Sequence, residues 1–124
     1  MNREHMKKSA GQTVFRELDQ VECPVAYALK MIGGKWKLPL LWHLHGQETV
    51  RYNELKRSVT GITSMMLSKS LRELEEDGLV NRVQYDGVPR KVEYRLSKKG
   101  LSLVPVLREI YRWAEEQITC GENR

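Results

Sequence analysis

Apolar positions fall into short stripes with helical spacing, interrupted by a stretch that alternates. Pro24 suits a first helical position, and Val25, Leu29 and Ile32 follow at i, i+4 and i+7 before Gly33 and Gly34 stop the run. Residues 35–45 read as a second helix, with Trp36, Leu40 and Leu44 on one stripe, Leu41 beside it and Gly46 as the stop. Pro39 lies early enough in it to be tolerated. Residues 49–51 support only a strand stub, and 52–59 read as a short helix burying Leu55 and Val59. Beyond Thr60, Gly61 and Ile62, Thr63 is a good N-cap for a helix running to Asp77 and ended by Gly78. Its stripe is Leu67, Leu71 and Leu74, so at about 100° per residue Met65, Ser68, Lys69, Arg72 and Glu76 point the other way.

Residues 79–85 and 91–96 are rich in Val and Tyr with a period near two, which predicts a hairpin turning at 86–90. Ser97 caps a last helix, expected from Lys98 to about Ile118 and bent at Pro105. Its apolar residues Leu101, Val104, Leu107, Ile110, Tyr111, Ala114 and Ile118 are flanked by Leu103, Val106 and Trp113. A helix apolar over more than one face needs cover from outside its own domain, so an association surface is expected. Residues 1–22 show no strong period, with Val14, Phe15 and Leu18 the one cluster that could dock. They are expected to form a mobile arm before one domain, 23–118, and a tail, 119–124.

The chain has 124 residues, 40% of them hydrophobic, which suits one small domain and excludes a multi-domain enzyme. No apolar run approaches the roughly 20 residues of a membrane span, so a cytoplasmic protein without a membrane partner is expected. The net charge is +5, and its distribution is uneven. Residues 1–29 hold four bases and four acids, residues 100–124 hold three bases and four acids, and residues 30–99 hold 14 bases and eight acids. The middle therefore carries the whole excess. A local excess of Lys and Arg suits a polyanion, because each phosphate contact releases condensed counterions.

The order helix, helix, short strand, helix, turn, helix, hairpin, helix is that of a winged helix-turn-helix, mostly α with a small β wing. The second helix of the motif would enter a major groove, with Ser64, Met65, Ser68, Lys69 and Arg72 toward base edges or phosphates. Glu73, Glu75, Glu76 and Asp77 fill its last turns, each costing a few tenths of a kcal/mol against the helix dipole. The pairs Lys69 with Glu73 and Arg72 with Glu76, spaced i and i+4, are expected to offset part of this. The wing adds Arg90 and Lys91 for a minor groove or its phosphates. Either surface alone is equally an ordinary solvated helix face or charged hairpin; their order in the chain is the more specific signal.

The stretches GGKWKLPLLWHL, RYNEL, GITSMMLSKSLRELEEDGLVNR and VPRKVEYRLSKKG resemble the HxlR family of bacterial winged-helix transcriptional regulators, relatives of the MarR type. The resemblance runs from about Cys23 to Trp113. It implies a homodimer joined through its terminal helices, with two recognition helices in successive major grooves of a roughly palindromic duplex operator. Met65 stands where members often carry a polar or basic residue, and the arm before Cys23 is longer than in many of them.

Two cysteines, Cys23 and Cys120, make neither a metal-ligand cluster nor a Cys-x-x-Cys pair, and free thiols are expected. Cys23 precedes Pro24 at a helix N-terminus, where dipole and free amides favour thiolate. The family resemblance agrees with this, since some members sense oxidants or electrophiles through a cysteine at this place, sometimes bridged to a C-terminal cysteine of the other subunit, for which Cys120 is the candidate here. The alternative for both is a small apolar filler and a bystander.

An enzyme is not expected: the sequence has no Gly-rich phosphate loop and no nucleophile elbow. His5, His43 and His45 lack cysteine or carboxylate at ligand spacing; His43 and His45 could reach one ion from a helix end, but a surface role is the expectation, with neither metal nor cofactor. Trp36, Trp42 and Trp113 lie in or beside apolar stripes and read as packing residues. The competing readings are a winged-helix protein-interaction module without a DNA role and an RNA-binding winged helix.

Overall fold

The computed structural model describes residues 23–89 and 91–122. The chain divides into two compact units, 1–33 and 34–124. The first contributes helix α1 (Pro24–Ile32). Cys23 is its N-cap, with extended backbone and a sulfur that accepts the Ala26 N–H at 3.4 Å; Pro24 occupies the first position, where a missing N–H costs nothing. At the other end the Gly33 N–H donates to the Leu29 carbonyl, and a Cβ on Gly33 would overlap that oxygen. Val25 and Leu29 are exposed.

The second unit runs α2 (Lys37–Leu44), β1 (Val50–Arg51), α3 (Tyr52–Ser58), α4 (Ser64–Glu76), β2 (Val80–Tyr85), β3 (Lys91–Leu96), α5 (Lys98–Leu101) and α6 (Val104–Glu122). The strands form an antiparallel sheet in the order β1-β3-β2. Val80 pairs with Leu96 at the root of the hairpin and Tyr85 with Lys91 near its tip, while the stub pairs Val50 with Tyr94.

Helices α2, α3 and α4 meet over a leucine core. Leu40, Leu41, Leu44, Leu55, Leu67, Leu71, Leu74 and Leu79 are all less than 2% exposed or, for Leu79, at 2%. Full burial of each is worth about 2 kcal/mol. Val59 and Ile62, also buried, close the turn between α3 and α4. The stripe predicted for α4 is the buried one, extended by Ser70, a small side chain 7% exposed that the apolar pattern does not reveal.

Both ends of α4 are capped as the sequence leads one to expect. Thr63 accepts the Met66 N–H at 3.1 Å. Beyond Asp77, Gly78 takes φ +77°, its N–H reaches the Glu75 carbonyl and that of Leu79 reaches Leu74, the paired bonds of a Schellman motif with Leu79 and Leu74 both buried. From α5, Lys99 Nζ donates to the Asp77 carbonyl at 3.0 Å, placing a cation on the negative end of α4.

Two expectations are corrected. The last helix is not one bent rod: α5 stops at Leu101, Ser102 and Leu103 turn, and α6 starts at Val104 and continues past Ile118 to Glu122. In an unbroken helix the Pro105 ring would meet the Leu101 carbonyl, whereas at the second position of a new helix its missing N–H has no partner to lose. Nor does Glu73 form the expected ion pair with Lys69. It reaches across to Lys37 on α2, Oε1 to Nζ 3.0 Å, and among the described residues no ion pair joins Arg72 to Glu76. Tertiary packing brings α2 alongside α4, and Lys37, only 12% exposed, gains more from a carboxylate than a solvated lysine does.

Gly100 packs on backbone: a Cβ there would overlap the Leu79 carbonyl, which already accepts the Ser97 N–H. Gly100→Ala, favourable by about 1 kcal/mol in an open helix, is therefore expected to destabilise the fold by about 1–3 kcal/mol, read as a lower urea midpoint at unchanged slope. The Lys37 hydrogen bond and charge, aided by Lys69 and Arg72, hold the Glu73 carboxyl below its ordinary 4.5 against a smaller opposing effect of burial. A lowered folded pKa gives stability that is complete above the unfolded value and fades as pH falls through the folded one. The wild type is therefore expected to be the more stable protein above pH 5, with its advantage over Glu73→Gln vanishing in acid, as measured by urea unfolding at stepped pH.

Candidate nucleic-acid interface

Because Leu67, Leu71 and Leu74 are locked in the core, the opposite side of α4 is held outward. Ser64, Met65, Ser68, Lys69 and Arg72 are all exposed, Met65 at 75%. Lys69 and Arg72 have no ion-pair partner within 4 Å among the described residues, so their charges face solvent. Glu73, the acid nearest to them in sequence, is neutralised by Lys37. The charge of the helix is thus graded along its length, with free cations in the first half and middle and acids in the last turn.

The sequence does not reveal what steadies this helix. Tyr52, at the start of α3, donates its hydroxyl proton to the Ser64 carbonyl at 3.1 Å and accepts from the Ser68 hydroxyl at 3.0 Å. One side chain therefore ties two of the predicted contact positions to α3. Ser68 keeps its oxygen lone pairs, but its proton is committed to Tyr52. No local pattern could have identified Tyr52, because its partners lie 12 and 16 positions away.

Tyr52 also lines an open groove of about 580 Å³ between the start of α3 and the tip of the wing. Arg51, Arg57 and Lys91 line it with Pro89, against a single acid, Glu54, whose Oε1 accepts the Arg51 N–H at 2.9 Å. Arg51 and Arg57 are additions to the residues expected from sequence, since a helix of two turns gives little periodicity from which to read a face. In the wing, Lys91 stands opposite Tyr85, its Nζ 5.4 Å from the ring centroid and 3.9 Å from Glu93 Oε2. Arg90 lies outside the described residues. The structure thus groups the α4 residues on one face and sets Lys91 in a groove whose lining includes Tyr52, the residue hydrogen-bonded to Ser64 and Ser68 of that face.

Cys23 and Cys120 are both free thiols and exposed. Among the described residues no three His, Cys, Asp or Glu side chains are grouped to hold a metal ion. His45 is engaged locally, its Nδ1 donating to the Trp42 carbonyl. Among the described residues no helix is long and apolar enough to cross a membrane. Helix α6 nevertheless exposes Val106, Ile110, Tyr111, Trp113 and Ile118, and among its described side chains Leu107 alone is buried.

Comparison with known proteins bears on this geometry. The HTH-type transcriptional regulator YdzF of Bacillus subtilis is 46% identical over 96 residues, covering 77% of this chain and 88% of its own. The redox regulator HypR in its oxidised form superposes with a TM-score of 0.72 at 45% identity, covering 76% of this chain and 96% of that one. Its reduced form gives 0.75 at 42% identity, over 82% and 99%. These relatives are regulators and not enzymes, and the superposition on HypR matches the mostly helical fold with a small antiparallel sheet found here. The family described as HxlR-like helix-turn-helix matches residues 31–122, spanning α2 to α6, and the chain belongs to that family of transcriptional regulators.

Proposed function

We propose that this regulator binds a specific duplex operator as a homodimer, with Ser64, Met65, Ser68, Lys69 and Arg72 in the major groove and the wing residues Arg90 and Lys91 on the flanking backbone. The observation that carries the reading is the outward face of α4. It is polar and cationic where a groove is entered, anchored behind by buried leucines, and tied to α3 by Tyr52. Lys69 and Arg72 supply donors for guanine edges or phosphates, and Met65 supplies an apolar contact of the kind a thymine methyl accepts. Arg51, Arg57 and Lys91 in the adjoining groove fit the phosphate contacts that fix register without reading sequence. A second copy covering the exposed apolar side of α6 would place two such faces on one duplex.

A protein-interaction module would show neither sequence preference nor a steep salt dependence. Arg72→Ala is expected to cost about 1–3 kcal/mol on the selected operator and little on random duplex, whereas Lys91→Ala weakens both and lowers the salt slope by about one. Fluorescence anisotropy at several salt concentrations measures both. Equal binding of operator and random DNA by the wild type would overturn the reading, and preference for structured RNA in an equimolar competition would replace it.

Cys23 is proposed as the input. Its sulfur is exposed at the cap of α1, and the similarity to HypR, which is described in oxidised and reduced forms, favours a redox signal over a bystander role. Peroxide converts the thiol to sulfenic acid with release of water; the thiol of Cys120 of the partner subunit then attacks that sulfur, giving a disulfide and a second water. Mild peroxide is expected to change operator affinity at least about tenfold in the wild type and not in Cys23→Ser, with a disulfide-linked dimer on a non-reducing gel that Cys120→Ser abolishes. A Cys23 that mass spectrometry finds unmodified, with affinity unchanged, refutes the sensing role.

A further inference from the structure

A second cleft lies away from every residue assigned above. It has a volume of about 410 Å³, within the range of about 300–1,000 Å³ typical of small-molecule sites. Its walls come from the C-terminal end of α2 and the following loop, the roots of β2 and β3, and α5. Leu44 and Leu96, both buried, and Leu101, 54% exposed, give it an apolar side. Arg95 and Lys98 give it two cations, and Glu48 one acid. Among the described residues neither Arg95 nor Lys98 has an ion-pair partner, although Glu48 lines the same cleft. Asn81, the direct ladder partner of Arg95, adds an amide on the same edge.

We infer that this cleft binds a small amphipathic monocarboxylate. The charges decide the class. Two cations and one acid leave a single positive charge, which one carboxylate neutralises; a phosphate monoester or dicarboxylate would bring a second negative charge against Glu48. The leucines decide the rest of the molecule, because an inorganic anion would leave Leu101 exposed and a short hydrocarbon tail would cover it. Arg95 and Lys98 hold the carboxylate, Asn81 adds a hydrogen bond, and the tail lies toward Leu44, Leu96 and Leu101.

The occupant would touch two parts of the molecule. Asn81 and Arg95 belong to the wing strands. His45, also in the wall, packs on Trp42 with ring centroids 4.3 Å apart, and Trp42 stacks on Tyr111 of α6 at 4.7 Å and 11°. One wall of the cleft thus belongs to the wing, and another is linked through Trp42 to the helix that exposes the apolar face. Binding itself is independent of the DNA reading, and its test uses no DNA.

Calorimetric titration of the full chain with hexanoate, hexanol and hexylammonium tests the site. Hexanoate is expected to bind saturably at one site per chain, about tenfold or more tighter than the other two. Arg95→Gln and Lys98→Gln should each weaken hexanoate about tenfold, and Glu48→Gln should tighten it. All three substitutions fall on exposed side chains, and circular dichroism and urea midpoints confirm that the variants fold. Equal binding of hexanol and hexanoate, or an affinity indifferent to these three substitutions, would place the probe on exposed apolar surface such as α6 and overturn the assignment.

Discussion

Burial of one leucine stripe on α4 is the constraint on which the rest of the structure depends. Leu67, Leu71 and Leu74 are buried together with Leu40, Leu41, Leu44 and Leu55 from the two preceding helices and Leu79 from the turn before β2. A helix has a fixed angular period, so fixing its inner face fixes its outer one within a few tens of degrees. The positions available to a groove are thus set by core packing, and mobility of the exposed side chains is confined to a face whose direction does not change. Tyr52 refines this, since its two hydrogen bonds tie α4 to the adjacent helix from the solvent side, where the leucines cannot reach.

Electrostatics follow from the same packing. A helix ending in Glu73, Glu75 and Glu76 with Asp77 as its cap is locally unfavourable, and the fold answers with partners from elsewhere in the chain. Lys37 takes Glu73 from one side, and Lys99 donates to the Asp77 carbonyl from another. Lys69 is thereby released from the intrahelical pair that spacing alone suggests, Arg72 forms no ion pair among the described residues, and the charge of both is presented outward. The net excess of residues 30–99 becomes a directed surface, shared between the face of α4 and the groove of Arg51, Arg57 and Lys91.

Two further surfaces are built on elements that sequence reading had merged or passed over. Breaking the last helix at Ser102 and Leu103 separates α5, which packs through Gly100 on the Leu79 carbonyl, from α6, which exposes its apolar side. The cleft of Arg95, Lys98 and Leu101 exists because α5 folds back against the sheet instead of continuing as a straight rod. The Trp42–Tyr111 stack then connects α2 to α6, two elements far apart in sequence.

Local chemistry was legible in the sequence wherever it alone decides the outcome. The limits of α1, the Thr63 cap, the Gly78 stop, the hairpin and the leucine stripes all follow from steric and periodic rules that act over a few residues, and the outward residues of α4 follow from its stripe. Membership of the HxlR-like family was legible too, because its motifs are local and lie in register. The tertiary structure decided what depends on partners distant in sequence. Glu73 pairs with Lys37, Tyr52 braces Ser64 and Ser68, Gly100 meets a backbone carbonyl, and Arg95 shares a cleft with Lys98 and Leu101. A sequence states which residue types exist and their angular order along each helix; only folding sets the few ångströms between elements, and hydrogen bonds, ion pairs and steric contacts are decided at that distance.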